Sequence, residues 1–153
     1  MECELCRSDM ALFGDDNAFV RYDNNSLSKG HVLVVPRRHV ADFFDMTPAE
    51  KASVLALLDK AKARISEEHS PDGYNIGVNV GKAAGQSRMH VHVHLIPRYA
   101  GDVADPSGGI RCVLRRRRRA PHKKKTPVGS GRFRSSTWGS WGLLIIHVAT
   151  LGG

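Results

Sequence analysis

No stretch of this chain approaches the roughly 20 consecutive apolar residues that a membrane-spanning helix needs. No positively charged opening followed by an apolar segment marks the N-terminus as a secretory leader. Both absences point to a cytoplasmic protein without a membrane partner. Cysteine is scarce and odd in number, three residues with two of them in Cys3-Glu-Leu-Cys6. That count argues against a disulfide framework and leaves the close pair as half of a metal site or as two free thiols. Acidic residues are missing beyond Asp105. The first 110 residues hold all 15 Asp+Glu against 12 Lys+Arg, and the last 43 hold 11 Lys+Arg and no acid. The formal net charge of +8 therefore belongs to a tail and not to the part able to fold.

What is present suffices for one domain: 153 residues, 41% of them apolar. Met10–Phe13 and Ala18–Tyr22, separated by Gly14-Asp15-Asp16-Asn17, read as a hairpin. His31–Pro36 is a continuous apolar run, as expected of a central strand covered on both faces. Thr47-Pro48-Ala49-Glu50 is a capping box with proline at the first helical position. Val54, Leu57, Leu58, Ala61 and Ile65 then recur at helical spacing until Ser70-Pro71-Asp72-Gly73. Tyr74–Val80 alternates, with Asn75, Gly77 and Asn79 opposite the apolar set. With the strand described next, these elements predict an α+β domain, an antiparallel sheet of about five strands with one long helix, over 1–111. Residues 112–153 carry five consecutive arginines at Arg115–Arg119, then Lys123–Lys125, without sustained periodicity, and are expected to be a disordered basic tail.

The chemistry concentrates in Arg88-Met89-His90-Val91-His92-Val93-His94-Leu95-Ile96-Pro97. Strict alternation predicts a half-buried strand, with Met89, Val91, Val93 and Leu95 toward a core and the three histidines in a row on the other face. Three imidazoles side by side bring no packing advantage over valine, so the row calls for a function. Gly81-Lys82-Ala83-Ala84-Gly85-Gln86-Ser87 leads into it, a small-residue loop whose amides can cradle an anion.

The triad with its Gly85-Gln86-Ser87 lead-in and its Pro97-Arg98 exit resembles the signature of the histidine triad family of nucleotide hydrolases and transferases, over about Cys3 to Arg111. The resemblance implies that His92 is a nucleophile attacking the α-phosphate of a nucleotide, with His90 fixing its orientation and His94 contacting the phosphate or leaving group. It implies phosphate contacts from Asn79, Gln86 and Ser87 and a hold on the ribose hydroxyls from Asp23. His31 matches an upstream histidine near the triad, although a structural hydrogen bond at the strand end accounts for it equally. Ile96-Pro97-Arg98-Tyr99 is similar to the dinucleoside polyphosphate hydrolase side of the family. The phosphoramidase side usually has Gly-Gly there, which this sequence lacks, so that activity is the weaker alternative. A homodimer is implied as well, and a divalent ion can accompany such a substrate. Some bacterial members hold a structural zinc with Cys-x-x-Cys and two histidines, for which Cys3, Cys6, His39 and His90 are the candidates.

Two other readings compete. Zinc bound directly by His90, His92 and His94 fails on distance, because three alternating side chains on one strand span roughly 13 Å and metal bonds are about 2 Å long. A nucleic-acid-binding protein acting through the arginine run lacks a recognisable motif or interleaved aromatics in its basic part. Nonspecific polyanion binding by the tail is the expectation there.

Overall fold

The computed structural model describes residues 3–111. The basic stretch 112–153 lies outside the described residues, and with it the expectations of a tail boundary and of polyanion binding. Five strands form one antiparallel sheet: β1 (Phe13–Gly14), β2 (Ala18–Tyr22), β3 (Val32–Pro36), β4 (Gly73–Val78) and β5 (Val93–Arg98), in the order β1-β2-β3-β5-β4. One helix, α1 (Pro48–His69), packs on β2, β3 and β5. The α+β architecture is the expected one.

The two faces of the sheet have different fates. Ala18, Val20, Val32, Val34, Val93 and Leu95 meet Val54, Leu57, Leu58, Ala61 and Ile65 of α1 in the main core. Each such aliphatic side chain stabilises the fold by about 1.5–3 kcal/mol on burial. On the opposite face Phe19, Leu33 and Val35 are covered by Leu5 from the N-terminal segment. The part of this second face that the segment leaves open is where the histidines stand.

The ends of α1 follow their chemistry. Thr47 Oγ accepts from the Glu50 amide at 3.2 Å, and Glu50 Oε2 accepts from the Thr47 amide at 2.8 Å. Ser70 closes the C-terminus in the left-handed region at φ 48°. Glu50 also receives Arg38 through Nε and Nη2, both at 2.8 Å, which holds its carboxyl down at about 2. This fork ties the helix to the segment after β3 that carries His39.

Two elements differ from the expectation. β1 is only two residues long, because the chain turns through Ser8–Ala11, where the Ala11 amide donates to Ser8 O. The hairpin closes tightly at Gly14, where a Cβ would lie 2.6 Å from Ala18 O. The triad strand starts at Val93, not at Met89. The Val91 amide donates to Val40 O at 2.8 Å in the loop after β3, so the chain bends through Arg88–His90 before it joins the sheet. Val91, Val93 and Leu95 are buried as expected, whereas Met89 is 48% exposed.

Candidate active site and metal centre

A cavity of about 410 Å³ opens on the second face, and Asp23, His31, Asn79, Ser87, His92 and His94 all line it. Each comes from a different place in the chain. Asp23 follows β2, His31 precedes β3, Asn79 follows β4, Ser87 ends the small-residue loop, and His92 and His94 flank the start of β5. Antiparallel pairing of β2, β3, β5 and β4 brings these termini to one end of the sheet.

Two residues of the expected set do not line the cavity. Gln86 is buried, with Oε1 accepting from the Gly81 amide and Nε2 donating to Ala41 O, both at 2.7 Å. Its side chain closes the loop that presents Ser87. Gly81 and Gly85 adopt φ of 79° and 91°, the left-handed region that lets this loop turn twice. His90 is fully buried and faces the N-terminal cysteines. Eight further residues complete the wall, among them Glu4, Leu5, Arg21 and Arg88, which the sequence did not single out for the site. Arg21 carried a signal, being a charge on the same strand face as Asp23 in an otherwise apolar Ala-Phe-Val run.

Hydrogen bonds assign the protons. His92 Nδ1 lies 2.8 Å from His90 O, and a carbonyl only accepts, so Nδ1 carries the hydrogen and Nε2 keeps its lone pair. The Leu27 amide donates to His31 Nδ1 at 3.2 Å, which leaves the proton of a neutral His31 on Nε2. That nitrogen lies 3.0 Å from His94 Nδ1 and donates to it, so His94 carries its own proton on Nε2. Burial keeps both rings neutral. It lowers His31 against the raising effect of Asp23, and it lowers His94 to about 4, helped by the neighbouring His92 and His31. Asp23 Oδ2 stands 3.5 Å from His31 Nε2 and 3.7 Å from His94 Nδ1. These three donor atoms are close enough to suit a metal ion. The proton on His31 Nε2 is instead given to His94 Nδ1 in a hydrogen bond, which occupies both nitrogens.

A second cluster has the opposite character. Cys3 Sγ lies 3.6 Å and Cys6 Sγ 3.5 Å from His90 Nδ1, and Cys6 Sγ lies 3.3 Å from His39 Nδ1. All four donor atoms fall within 4.8 Å of one another. Zinc bonds of about 2.3 Å to sulfur and 2.0–2.1 Å to nitrogen at tetrahedral angles set sulfur and nitrogen about 3.5 Å apart. The donors also match chemically. His90 Nε2 donates to Pro36 O at 2.8 Å, which leaves Nδ1 unprotonated toward the cysteines, the outer hydrogen bond that orients a metal-binding imidazole. The cluster is compatible with zinc.

This geometry can be set beside known proteins. The family model for the HIT domain matches residues 7–101. The chain belongs to the HIT family. An AP-4-A phosphorylase of Mycobacterium tuberculosis is 43% identical over 74 residues, covering 48% of this chain and 38% of that protein. The asymmetrical bis(5'-nucleosyl)-tetraphosphatase of Schizosaccharomyces pombe is 41% identical over 76 residues, covering 50% of this chain and 42% of the relative. This HIT chain thus spans about two fifths of the length of these two relatives. Among solved structures, a Zn-bound histidine triad family protein from Mycobacterium smegmatis superposes with a TM-score of 0.61 at 32% identity, covering 69% of this chain and 81% of that one. Among the described residues, no helix is long and apolar enough to cross a membrane.

Proposed function

We propose that this HIT protein cleaves a dinucleoside polyphosphate, or a related nucleotide, at its α-phosphate through a nucleotidyl-histidine intermediate on His92. The observation that carries the reading is the His92 Nδ1 bond to His90 O, which leaves Nε2 as a free lone pair in the cavity, beside His94. The nature of relatives named as a phosphorylase and a tetraphosphatase supports an enzyme acting on nucleotide phosphoanhydrides.

In the first step the Nε2 lone pair forms a P–N bond while the P–O bond to the leaving group breaks. The departing oxygen takes the electron pair and leaves as a phosphate anion, its charge met by a hydrogen bond from the Nε2–H of His94, which His31 Nε2–H keeps oriented through His94 Nδ1. In the second step water, or phosphate in a phosphorylase, attacks the same phosphorus, the P–N bond breaks with its electron pair returning to His92 Nε2, and an attacking water gives its proton to solvent. Ser87 and Asn79, which line the cavity, meet the developing charge. Asp23 receives the ribose hydroxyls.

A zinc ion held by Cys3, Cys6, His39 and His90 belongs to this reading as a structural group that ties the N-terminus to the triad. Its effect on catalysis is indirect, through the backbone at His90, whose carbonyl fixes the His92 tautomer. The reading includes a homodimer, for which edge strand β4 with Ile76 49% exposed offers an apolar border.

The test is turnover of dinucleoside polyphosphates, nucleoside phosphoramidates and nucleotide sugars by wild type and His92→Ala. Loss of the nucleophile should cost several orders of magnitude in kcat while nucleotide binding stays measurable. Retention of more than about a tenth of wild-type turnover in folded His92→Ala refutes the assignment.

A further inference from the structure

The wall of the cavity two strands away from His94 holds a buried charge that the reaction does not use. Arg21 is 2% exposed, and its side chain lines the cavity. Its polar contacts are all long: 3.5 Å to Tyr22 O, Glu4 O and Met10 Sδ, 3.4 Å to Asn24 Oδ1, and 3.7 Å to Glu4 Oε1. A buried guanidinium with five donors is costly unless close acceptors meet it. The site is therefore suited to a ligand that brings acceptors.

Sheet register sets its distance from the chemistry. His94 on β5 pairs with Leu33 on β3, and Leu33 pairs with Arg21 on β2. The three residues form one row on one face, so Arg21 stands two strand spacings, roughly 9–10 Å, from His94. Asp23 lies two residues further along the same face. A nucleotide with its α-phosphate at His92 and its ribose at Asp23 lays its base along this row, over Leu33. Leu5, packed with Leu33 in the same apolar cluster, lines the cavity beside the ring. The outer edge of the base then meets Arg21 and Glu4.

The edge chemistry discriminates between bases. Arg21 offers paired N–H donors, and beside it the Glu4 carboxylate offers acceptors. Glu4 is steadied by Asn24 Nδ2 at 2.8 Å and Arg88 Nη2 at 3.1 Å. Guanine presents O6 and N7 as adjacent acceptors, the pair that arginine reads bidentately, with the N1–H donor next to O6 for a carboxylate. Adenine places an amino group where guanine has O6, opposing donor to donor. Uracil presents one carbonyl where guanine presents two acceptors.

Resting on the nucleotide reaction proposed at His92, we infer that the base subsite selects guanine over adenine, with Arg21 donating to O6 and N7 and Glu4 accepting from N1–H. Arg21 is then a specificity-determining residue and takes no part in bond breaking.

The full chain is assayed for kcat/KM on diguanosine, diadenosine and diuridine tetraphosphate. In parallel, GMP and AMP binding to His92→Ala protein is followed by the thermal-melt shift. Guanosine should exceed both other substrates by roughly tenfold or more, and GMP should bind more tightly than AMP by a similar factor. Arg21→Leu should bring the guanosine-to-adenosine ratio near one, mainly through KM. Arg21→Lys keeps the charge but loses the fork, so it should erode the ratio partly, and it stands in if the leucine variant does not fold. Tighter GMP binding without turnover of any dinucleotide upholds the base selection and refutes the nucleotidyl-transfer reading. Adenosine or uridine substrates equal to or better than guanosine, GMP no tighter than AMP, or a ratio unmoved in the folded Arg21 variants, overturns the inference.

Discussion

Acid should destabilise this protein through His94 well before its carboxylates are neutralised. The ring is 20% exposed and lies between His31 and His92, where burial, and then those neighbours, lower its pKa from 6.5 to about 4. Between these two values the unfolded chain takes up a proton at this position and the folded chain does not. The contribution is therefore fully present above pH 6.5 and is lost as pH falls toward 4. Each pH unit across that window is worth about 1.4 kcal/mol, so the whole loss is at most about 3 kcal/mol. His31, lowered by burial, acts in the same direction. Against a typical stability of about 5–15 kcal/mol this is a large fraction. The measurement is the urea midpoint at pH 7, 6, 5 and 4.5 for wild type and His94→Asn. Acid sensitivity arising at the cysteine cluster is common to both proteins and cancels in the comparison. The variant should lose less stability than wild type over this range. Identical pH slopes in the two proteins refute the reasoning.

Two further outcomes follow from the packing around the site. Metal analysis of protein purified without chelator should find about one zinc per chain. Cys3→Ser with Cys6→Ser should lose that zinc and melt at a lower temperature yet keep appreciable turnover, since His92 is untouched; zinc-free wild type refutes the site. Arg38→Ala leaves the Glu50 carboxylate, 5% exposed, without its bidentate partner and should lower stability by about 1–3 kcal/mol in urea unfolding. Adding Glu50→Gln should restore part of that, and a midpoint unmoved by Arg38→Ala sinks the account.

The parts of the fold governed by local rules were legible in the sequence. The capping box, proline and apolar period located α1 from Pro48 to His69, and the apolar run His31–Pro36 located the buried central strand. These signals lie within a few residues of the structure they specify. The triad strand was legible in existence but not in extent. Alternation alone extends it back to Met89, whereas the bend at Arg88–His90 depends on Val40 O and on cysteines more than 80 residues away. Gln86 was legible as part of the motif and not in what it touches, because Ala41 O, its second partner, is 45 residues distant. Arg21 escaped notice because a single charge in a short strand reads as its solvent face until pairing with Leu33 places it inside the cavity.

The four residues Cys3–Cys6 show how one short segment can bear on both centres. They form a single 3-10 turn, in which the Cys6 amide donates to Cys3 O at 3.0 Å. Three residues per turn bring positions 3 and 6 to the same side, toward His90 and His39, and send positions 4 and 5 elsewhere. Leu5 enters the apolar cluster with Leu33, and Glu4 reaches Asn24 and Arg88 across the cavity wall. The spacing that suits a metal pair thus also presents two side chains to the far end of the pocket. Anchoring the turn at His90 fixes it to the residue whose carbonyl sets the His92 tautomer. The carbonyl is also held by the chain itself, through the Val91 amide bond to Val40 O, so His92 stays oriented when the cysteines are replaced. The Glu4 backbone is held from outside the turn by the longer bond from Arg21 Nη1 to Glu4 O at 3.5 Å. The serine variant should therefore weaken nucleotide binding, seen as a raised KM, more than it slows the chemical step.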